Sequence, residues 1–167
     1  MDELNGAIAI YRRQADEMNE LLSNCPAAAV VRPPGLNRWS ILEIVAHLAD
    51  AELLASARIR RIITQDRPGM HGYQQELWAQ GLAYRRQKIE TVSARFSVLR
   101  RENASLLEMI GEEVWRLKGR HDEYGELSLR ELIEDYITHT AKHLDQMRSA
   151  AMAYEASKNK PHARLQV

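Results

Sequence analysis

Apolar residues recur three and four positions apart over four long segments of the chain, which is the spacing of amphipathic helices. No segment shows the alternation of apolar and polar positions that is typical of strands. Capping boxes begin the second and fourth segments, at Ser40-Ile-Leu-Glu43 and Ser128-Leu-Arg-Glu131. The predicted helices cover about residues 2–23, 40–65, 85–110 and 128–154. The pattern predicts an all-α protein, built as a four-helix bundle.

The connections between the predicted helices are long, at about residues 24–39, 67–84 and 111–127. Bundle connections usually have roughly two to eight residues, and long ordered loops tend to cover or build a site. The second connection contains a predicted short helix, at residues 73–79. We expect one helical domain over residues 1–154, followed by a polar, frayed C-terminal tail at 155–167.

The amino-acid composition limits the binding partners that we expect and the cellular compartment in which the protein acts. The chain has 167 residues with 23 basic and 23 acidic side chains, so no net charge attracts nucleic acid. A single cysteine, Cys25, excludes an internal disulfide and suits a reducing compartment. The acidic N-terminus lacks the features of a signal peptide, and no apolar run is long enough to span a membrane. We therefore expect a cytoplasmic protein with neither a membrane nor a nucleic acid as its partner.

Three histidines lie on predicted core-facing surfaces. His139 and His143 are four residues apart on the last helix, so their rings stand one turn apart and can grip one metal ion. His47 lies on the shoulder of the apolar face of the second helix. Three converging imidazoles would leave coordination positions open, as in catalytic metal sites. The alternative is that they are core histidines satisfied by hydrogen bonds.

Two carboxylates of the second helix are candidates for proton transfer. Glu52 occupies the centre of the apolar stripe, where a carboxylate must be paired or coordinated. It is either a general base near the metal or the partner of an arginine from another helix. Asp50, one turn beyond His47, could accept a proton or orient an imidazole, the alternative being a solvated surface aspartate. Asp135, one turn before His139, could likewise hold an imidazole tautomer.

Three stretches of the sequence together resemble the DinB/YfiT-like superfamily of metalloenzymes. They are residues 39–52 (Trp-Ser-Ile-Leu-Glu-Ile-Val-Ala-His-Leu-Ala-Asp-Ala-Glu), 121–125 (His-Asp-Glu-Tyr-Gly) and 139–146 (His-Thr-Ala-Lys-His-Leu-Asp-Gln). The resemblance extends over about residues 21–154, and the motifs are specific in their order and spacing.

This resemblance implies a fold, an assembly and a ligand set. The fold is a four-helix bundle with up-down-down-up connectivity, and the protein is expected to be a homodimer. A divalent metal is expected on three histidines, which match His47, His139 and His143 here. His121 belongs to the matching stretch and His71 lies in the loop at 68–72. For both, a structural or exposed role is favoured over a role as ligand.

The metal site is compatible with three functions. In the favoured one, the metal lowers the pKa of a bound water and the hydroxide attacks a small ester or amide, with Glu52 or Asp50 moving protons. The second is an S-transferase that activates a low-molecular-weight thiol on the metal, as the resemblance also implies. Arginines for the anionic groups of such a thiol are available at Arg85, Arg86 and 58–61. The third is a non-catalytic, metal-stabilised interaction bundle with a sealed site.

The imidazole ligands also limit which metal ions the site can bind. Imidazole nitrogens suit zinc, nickel, iron and copper, and selection among them depends on geometry and availability. We expect zinc or nickel first, and iron or copper second.

Overall fold

The computed structural model describes residues 2–158, which form six α-helices and three short strands. In chain order, the helices are α1 (Asp2–Ser23), α2 (Ala27–Val31), α3 (Ile41–Thr64), α4 (Gln75–Gly81), α5 (Ile89–Met109) and α6 (Leu129–Lys158). The strands are β1 (Gly69–Met70), β2 (Lys118–His121) and β3 (Gly125–Ser128), and 3-10 turns occur at Tyr84–Arg86 and Glu112–Arg116.

The four long helices form the predicted bundle, in which α1 and α3 each pack against both α5 and α6. The core divides into an upper and a lower cluster. The upper one includes Met18, Leu42, Val92 and Leu144, and the lower one includes Leu4, Ile59, Leu107 and Leu132. Helix α1 therefore runs from the lower to the upper cluster, α3 and α5 run downward, and α6 returns upward. This order confirms the up-down-down-up connectivity.

Both predicted capping boxes are confirmed. The Ser40 hydroxyl accepts from the Glu43 amide, and the Glu43 carboxylate accepts from the Ser40 amide at 2.9 Å. The Ser128 amide donates to the Glu131 carboxylate at 2.7 Å, and the Glu131 amide donates to the Ser128 hydroxyl at 3.2 Å. These local bonds fix the starts of α3 and α6, the two helices that carry the histidines.

The expectation that the chain has no strands was wrong. Strand β1 pairs in parallel with β2, placing Met70 opposite His121, and β2 pairs antiparallel with β3. Gly125 begins β3 with a φ of 76°, a conformation that glycine adopts without strain. Strands of two and four residues are too short to show a periodic pattern, which is why the sequence did not reveal them.

Some predicted boundaries also change. The third helix begins at Ile89 rather than near Arg85, because the 3-10 turn at Tyr84–Arg86 precedes it. Helix α6 continues to Lys158, so residues 155–158 are helical and do not belong to a frayed tail. The rest of the predicted tail, 159–167, lies outside the described residues. Within the described part of the chain, no helix is long and apolar enough to cross a membrane.

Candidate metal centre

Helices α3 and α6 bring the three predicted histidines together in the middle of the bundle. Nε2 of His139 lies 3.1 Å from Nε2 of His47 and 3.2 Å from Nε2 of His143. One nitrogen from each ring falls within 4.8 Å of the others. His47 is buried, whereas His139 and His143 are half-buried. One ring of the trio is therefore buried in the bundle, and the other two are partly accessible to solvent.

Burial keeps all three imidazoles neutral at pH 7. Desolvation, together with the charges of the other two rings, lowers the pKa of His47 from 6.5 to about 3. Desolvation and the charge of His143 lower the pKa of His139 to about 4. Desolvation also lowers the pKa of His143, although its bond to Gln146 opposes the shift. Neutral imidazole is the form that coordinates metals.

In His143 and His47, the ring nitrogen that does not face the other imidazoles, Nδ1, has a partner that orients the ring. Nδ1 of His143 donates to Oε1 of Gln146 at 2.9 Å, and Nδ1 of His47 lies 3.1 Å from the Tyr73 hydroxyl. When Nδ1 carries the proton, the Nε2 lone pair of each ring points at the other imidazoles. Three neutral nitrogens that converge with their lone pairs repel one another unless a cation lies between them. The donor set therefore fits a divalent ion.

Aromatic side chains from two of the long connections pack around the trio. The Trp39 ring meets the His47 ring edge-on, with centroids 5.2 Å apart. The Tyr73 ring packs against Trp78 of α4, with centroids 4.5 Å apart. The connections before α3 and after it thus supply side chains that hold His47 from both sides.

Two cavities adjoin the histidines. The smaller one has a volume of about 130 Å³ and is lined by side chains that include Arg58, Tyr73, His121, Asp135, Tyr136 and His139. The larger one is an open groove of about 790 Å³, lined in part by Trp39 and Gln146, which contact His47 and His143. The smaller cavity is therefore lined by a member of the trio itself, and the groove is connected to the other two rings through Trp39 and Gln146.

Glu52 forms an ion pair rather than contacting the histidines. Its Oε2 accepts from Arg100 of α5 at 2.7 Å, and both side chains are almost fully buried. Its Oε1 accepts from the Tyr11 hydroxyl and from the Asn103 amide. Within residues 2–158, every side-chain hydrogen bond of Glu52 goes to these three partners. The sequence had left open an ion pair with an arginine, and the structure forms it.

Asp50 is buried, with an exposed fraction of 4%. It accepts from the Tyr84 hydroxyl and from Arg95, both at 2.7 Å. The prediction that favoured a solvated surface aspartate was wrong, because the Tyr84 turn covers this side of α3. Burial and the bond to Asp50 raise the pKa of Tyr84. Asp135, in contrast, is exposed and makes no hydrogen bond to an imidazole among the described residues.

The two loop histidines differ in their surroundings. His121, in β2, is 6% exposed and lines the smaller cavity together with His139. Its Nδ1 accepts from the Glu123 amide at 3.2 Å, so the proton of the neutral ring is on Nε2. The His71 side chain is 85% exposed, and its carbonyl accepts from Arg58. The sequence favoured a structural or exposed role for both, and the structure buries His121 while leaving the His71 side chain exposed.

The arginines that the sequence offered as partners for an anionic thiol mostly form other contacts. Arg85 pairs with Glu43 at 2.7 Å, and Arg60 pairs with Glu102 at 3.2 Å. Arg58 lines the smaller cavity, where it donates to the Tyr136 hydroxyl at 2.9 Å. Of this arginine set, Arg58 is the member that reaches the candidate site.

Sequence reasoning did not single out Tyr73 or Gln146 as partners of the histidines. Gln146 follows His143 by three residues, so helical spacing could have placed them together. Tyr73 lies in a connection 26 residues from His47, and no local pattern links the two.

Known proteins resemble this chain in sequence and in fold. A protein of Oceanobacillus iheyensis, named "Putative metal-dependent hydrolase", is 27% identical over 106 residues. The match covers 64% of this chain and 61% of that protein, so the chain spans less than two thirds of the relative's length. The solved structure of YfiT from Bacillus subtilis superposes with a TM-score of 0.85 at 14% identity. The superposition covers 93% of this chain and 89% of YfiT. YfiT is described as "a probable metal-dependent hydrolase with an unusual four-helix bundle topology".

The likeness to YfiT establishes the fold alone, because the identity is low. The sequence model of the DinB superfamily matches residues 10–147, which include all three histidines of the candidate site. Since this match extends over most of the 167 residues, the chain belongs to the DinB superfamily.

Proposed function

We propose that this protein is a metal-dependent hydrolase that acts on a small molecule. In this proposal His47, His139 and His143 hold one divalent ion. The observation that carries it is the convergence of three neutral imidazole nitrogens next to a cavity. The name of the Oceanobacillus iheyensis relative supports the same reaction class.

Zinc or nickel is the ion we propose first, with iron or copper second, because imidazole nitrogens suit all four. His47, His139 and His143 would hold the ion, which would supply Lewis acidity to ionise water near neutral pH. The Tyr73 hydroxyl and Oε1 of Gln146 are placed to accept the Nδ1 protons of His47 and His143, which would direct their Nε2 lone pairs at the ion.

The proton carriers we propose are Asp135 and His121 rather than Glu52 and Asp50. Asp135 and His121 line the same cavity as His139, and Nε2 of neutral His121 carries a proton. Glu52 and Asp50 are each paired with an arginine and a tyrosine hydroxyl. These bonds engage both oxygens of each carboxylate, and neither side chain lines the cavity beside His139.

Metal analysis of purified variants tests the site. We expect ~1 divalent ion per chain in the wild type and its loss in His47→Ala and His143→Ala, since each removes one of three ligands. His71→Ala is the matched control, because the His71 side chain is exposed and lies outside the trio. Wild-type protein without stoichiometric metal, or ligand variants that retain it fully, would contradict the assignment.

Hydrolysis of a panel of esters and amides tests the reaction. We expect activity in the metal-loaded wild type, its loss on chelation, and its return when the ion is restored. Activity that survives complete metal removal would rule out the proposed mechanism. The His121→Gln variant should keep its metal but lose activity, because a glutamine amide cannot release and take up a proton as an imidazole does, while the three ligands stay in place.

Thiol transfer is the second candidate, and Arg58 is the observation that favours it. Arg58 lines the cavity beside His139 and has no carboxylate partner among residues 2–158. Its guanidinium could hold a carboxylate of a low-molecular-weight thiol while the sulfur reacts at the metal. The discriminating assay presents a small electrophile with and without such thiols. Turnover that requires the thiol would favour an S-transferase, and thiol-independent hydrolysis would favour the first proposal.

A purely structural metal site is less well supported. Among the described residues, the cluster consists of three histidines without a fourth protein ligand, and cavities adjoin it. Structural sites are usually closed by four protein ligands.

The proposal includes a cytoplasmic homodimer. It rests on the family resemblance and on the single cysteine, which suits a reducing compartment. Sedimentation velocity of the full-length protein tests the assembly, and a monomer at micromolar concentration would contradict it.

A further inference from the structure

We propose that the groove between α6 and the connection before α3 binds an anionic part of the substrate, with Arg38 and Lys142 as its counter-ions. This inference rests on the proposed function and extends it to a substrate class. The groove has a volume of about 790 Å³. Small-molecule pockets have volumes of roughly 300–1,000 Å³, so it can hold a substrate of ordinary size.

The groove adjoins the candidate metal centre through two of its lining residues. The Trp39 ring packs against the His47 ring, with centroids 5.2 Å apart, and Oε1 of Gln146 accepts from His143 at 2.9 Å. The imidazoles do not line the groove themselves, so Trp39 and Gln146 are the side chains that connect a molecule in the groove to the trio. His139, in contrast, lines the smaller cavity directly.

The charges of the lining favour an anion. Arg38 and Lys142 are exposed, and neither forms an ion pair within residues 2–158. Asp145, the acidic member of the lining, is paired with Arg148 at 2.6 Å. The groove thus has excess positive charge, although the whole chain has 23 basic and 23 acidic residues. The smaller cavity lacks this excess, because Asp135 and Glu123 line it beside Arg58.

The rest of the lining indicates what the anion is attached to. Trp39, Ile44 and Ala150 add apolar surface, while Asn37 and Ser149 add hydrogen-bonding groups. The structure therefore fits a small organic molecule with an apolar portion and a carboxylate or phosphate group. Its hydrolysable bond would lie at the histidine end of the groove.

Calorimetric titration of the full-length, as-purified protein tests this directly. The probes are 3-phenylpropionate, its neutral amide and phenyl phosphate. We expect an anion to bind about tenfold more tightly than the amide, the size expected from two partly exposed ion pairs. A higher affinity for phenyl phosphate would identify phosphate as the anion, and a higher affinity for 3-phenylpropionate would identify a carboxylate.

The Arg38→Gln/Lys142→Gln variant removes the two counter-ions from exposed positions, where the fold is not at risk. It should lose the preference for the anion and bind the amide as before. The matched control is Arg13→Gln/Lys118→Gln, which removes one arginine and one lysine charge from exposed positions elsewhere and should bind like the wild type. Equal affinity for anion and amide in the wild type would overturn the proposal. So would an anion affinity that the double variant leaves unchanged, since the anion would then bind elsewhere, for example at the metal.

Kinetics with two esters separates this inference from the proposed function. The probes are 4-nitrophenyl acetate, which is neutral, and mono-4-nitrophenyl glutarate, which carries a carboxylate. If both proposals hold, the Arg38→Gln/Lys142→Gln variant raises the ratio of KM for the glutarate ester to KM for the acetate ester about tenfold. If neither ester is hydrolysed but anion binding still depends on Arg38 and Lys142, the result contradicts the hydrolase proposal and supports the anion site in the groove. Hydrolysis without any preference for the charged ester or the charged probe would contradict the anion site and leave the hydrolase proposal intact.

Discussion

The Tyr73 hydroxyl lies 3.1 Å from Nδ1 of His47 and links the connection after α3 to the centre of the bundle. Desolvation and the nearby Tyr136 and Asp50 raise the pKa of Tyr73, so its hydroxyl stays protonated at neutral pH. A neutral phenol can accept the Nδ1 proton and fix the tautomer in which Nε2 is free to bind a metal. The loop therefore contributes to the chemistry of the site as well as covering it.

Replacing Tyr73 by phenylalanine should weaken metal binding without unfolding the protein. Loss of the group that orients a metal-binding histidine usually costs about tenfold or more in affinity, and we expect about tenfold here. Competition with a chromophoric chelator measures the affinity. Tyr154→Phe, at a tyrosine that contacts Lys158 near the end of α6, is the control. Equal affinities of Tyr73→Phe and wild type would show that Tyr73 does not orient His47.

Metal should also stabilise the folded protein, because the three ligands converge only in the native state. At an ion concentration 100 times the dissociation constant, the gain in unfolding free energy is about 2.7 kcal/mol. Thermal denaturation should give a midpoint that rises with added zinc or nickel and falls with chelator. His143→Ala should not respond, whereas His71→Ala should respond like the wild type. A metal-induced shift of equal size in His143→Ala would place the binding elsewhere.

The parts of the fold that local sequence determines could be predicted. Four helices followed from apolar spacing, and the starts of α3 and α6 followed from serine and glutamate three residues apart. The pairing of His139 with His143 is also local, since the helix itself places them one turn apart. The sequence did not predict the strands, because β1 has two residues and depends on hydrogen bonds with a segment about 50 residues away.

The network around Glu52 shows what local sequence does not determine. The spacing along α3 indicated that Glu52 is buried, but its partner Arg100 is 48 residues away on α5. Arg100 is completely buried and also donates to the Tyr11 carbonyl at 3.0 Å. Which arginine meets a buried carboxylate depends on how the helices pack, so the sequence could only state the two possibilities.

Glu52→Gln should destabilise the protein strongly and leave its metal content unchanged. The substitution leaves the Arg100 charge buried without a counter-ion, which typically costs about 3–5 kcal/mol. Urea denaturation measures the free energy of unfolding, and elemental analysis measures the metal. Glu102→Gln is the control, because Glu102 forms an exposed pair with Arg60 that should contribute at most about 1 kcal/mol. A stable Glu52→Gln variant that loses its metal would assign Glu52 to the metal centre instead.

Acid should destabilise the metal-free protein through the buried histidines. The pKa of His47 is about 3 in the folded state and near 6.5 when the chain is unfolded. Between these values the unfolded state binds more protons than the folded state, so the contribution of His47 to stability falls as the pH decreases. The slope for one such group is at most about 1.4 kcal/mol per pH unit. His139, with a pKa of about 4, acts in the same direction.

The difference in unfolding free energy between wild type and His47→Gln isolates this effect from that of the carboxylates. With chelator present, the difference should be constant above about pH 7 and should shift against the wild type as the pH falls toward 4, because only the wild type must keep this imidazole neutral. His71→Gln is the control for removal of an exposed imidazole, since the His71 side chain is 85% exposed. A difference between wild type and His47→Gln that does not change from pH 7 to pH 4 would mean that His47 is protonated as readily in the folded protein as in the unfolded chain. The imidazoles would then be too solvated to form the compact, neutral donor set on which the metal proposal rests.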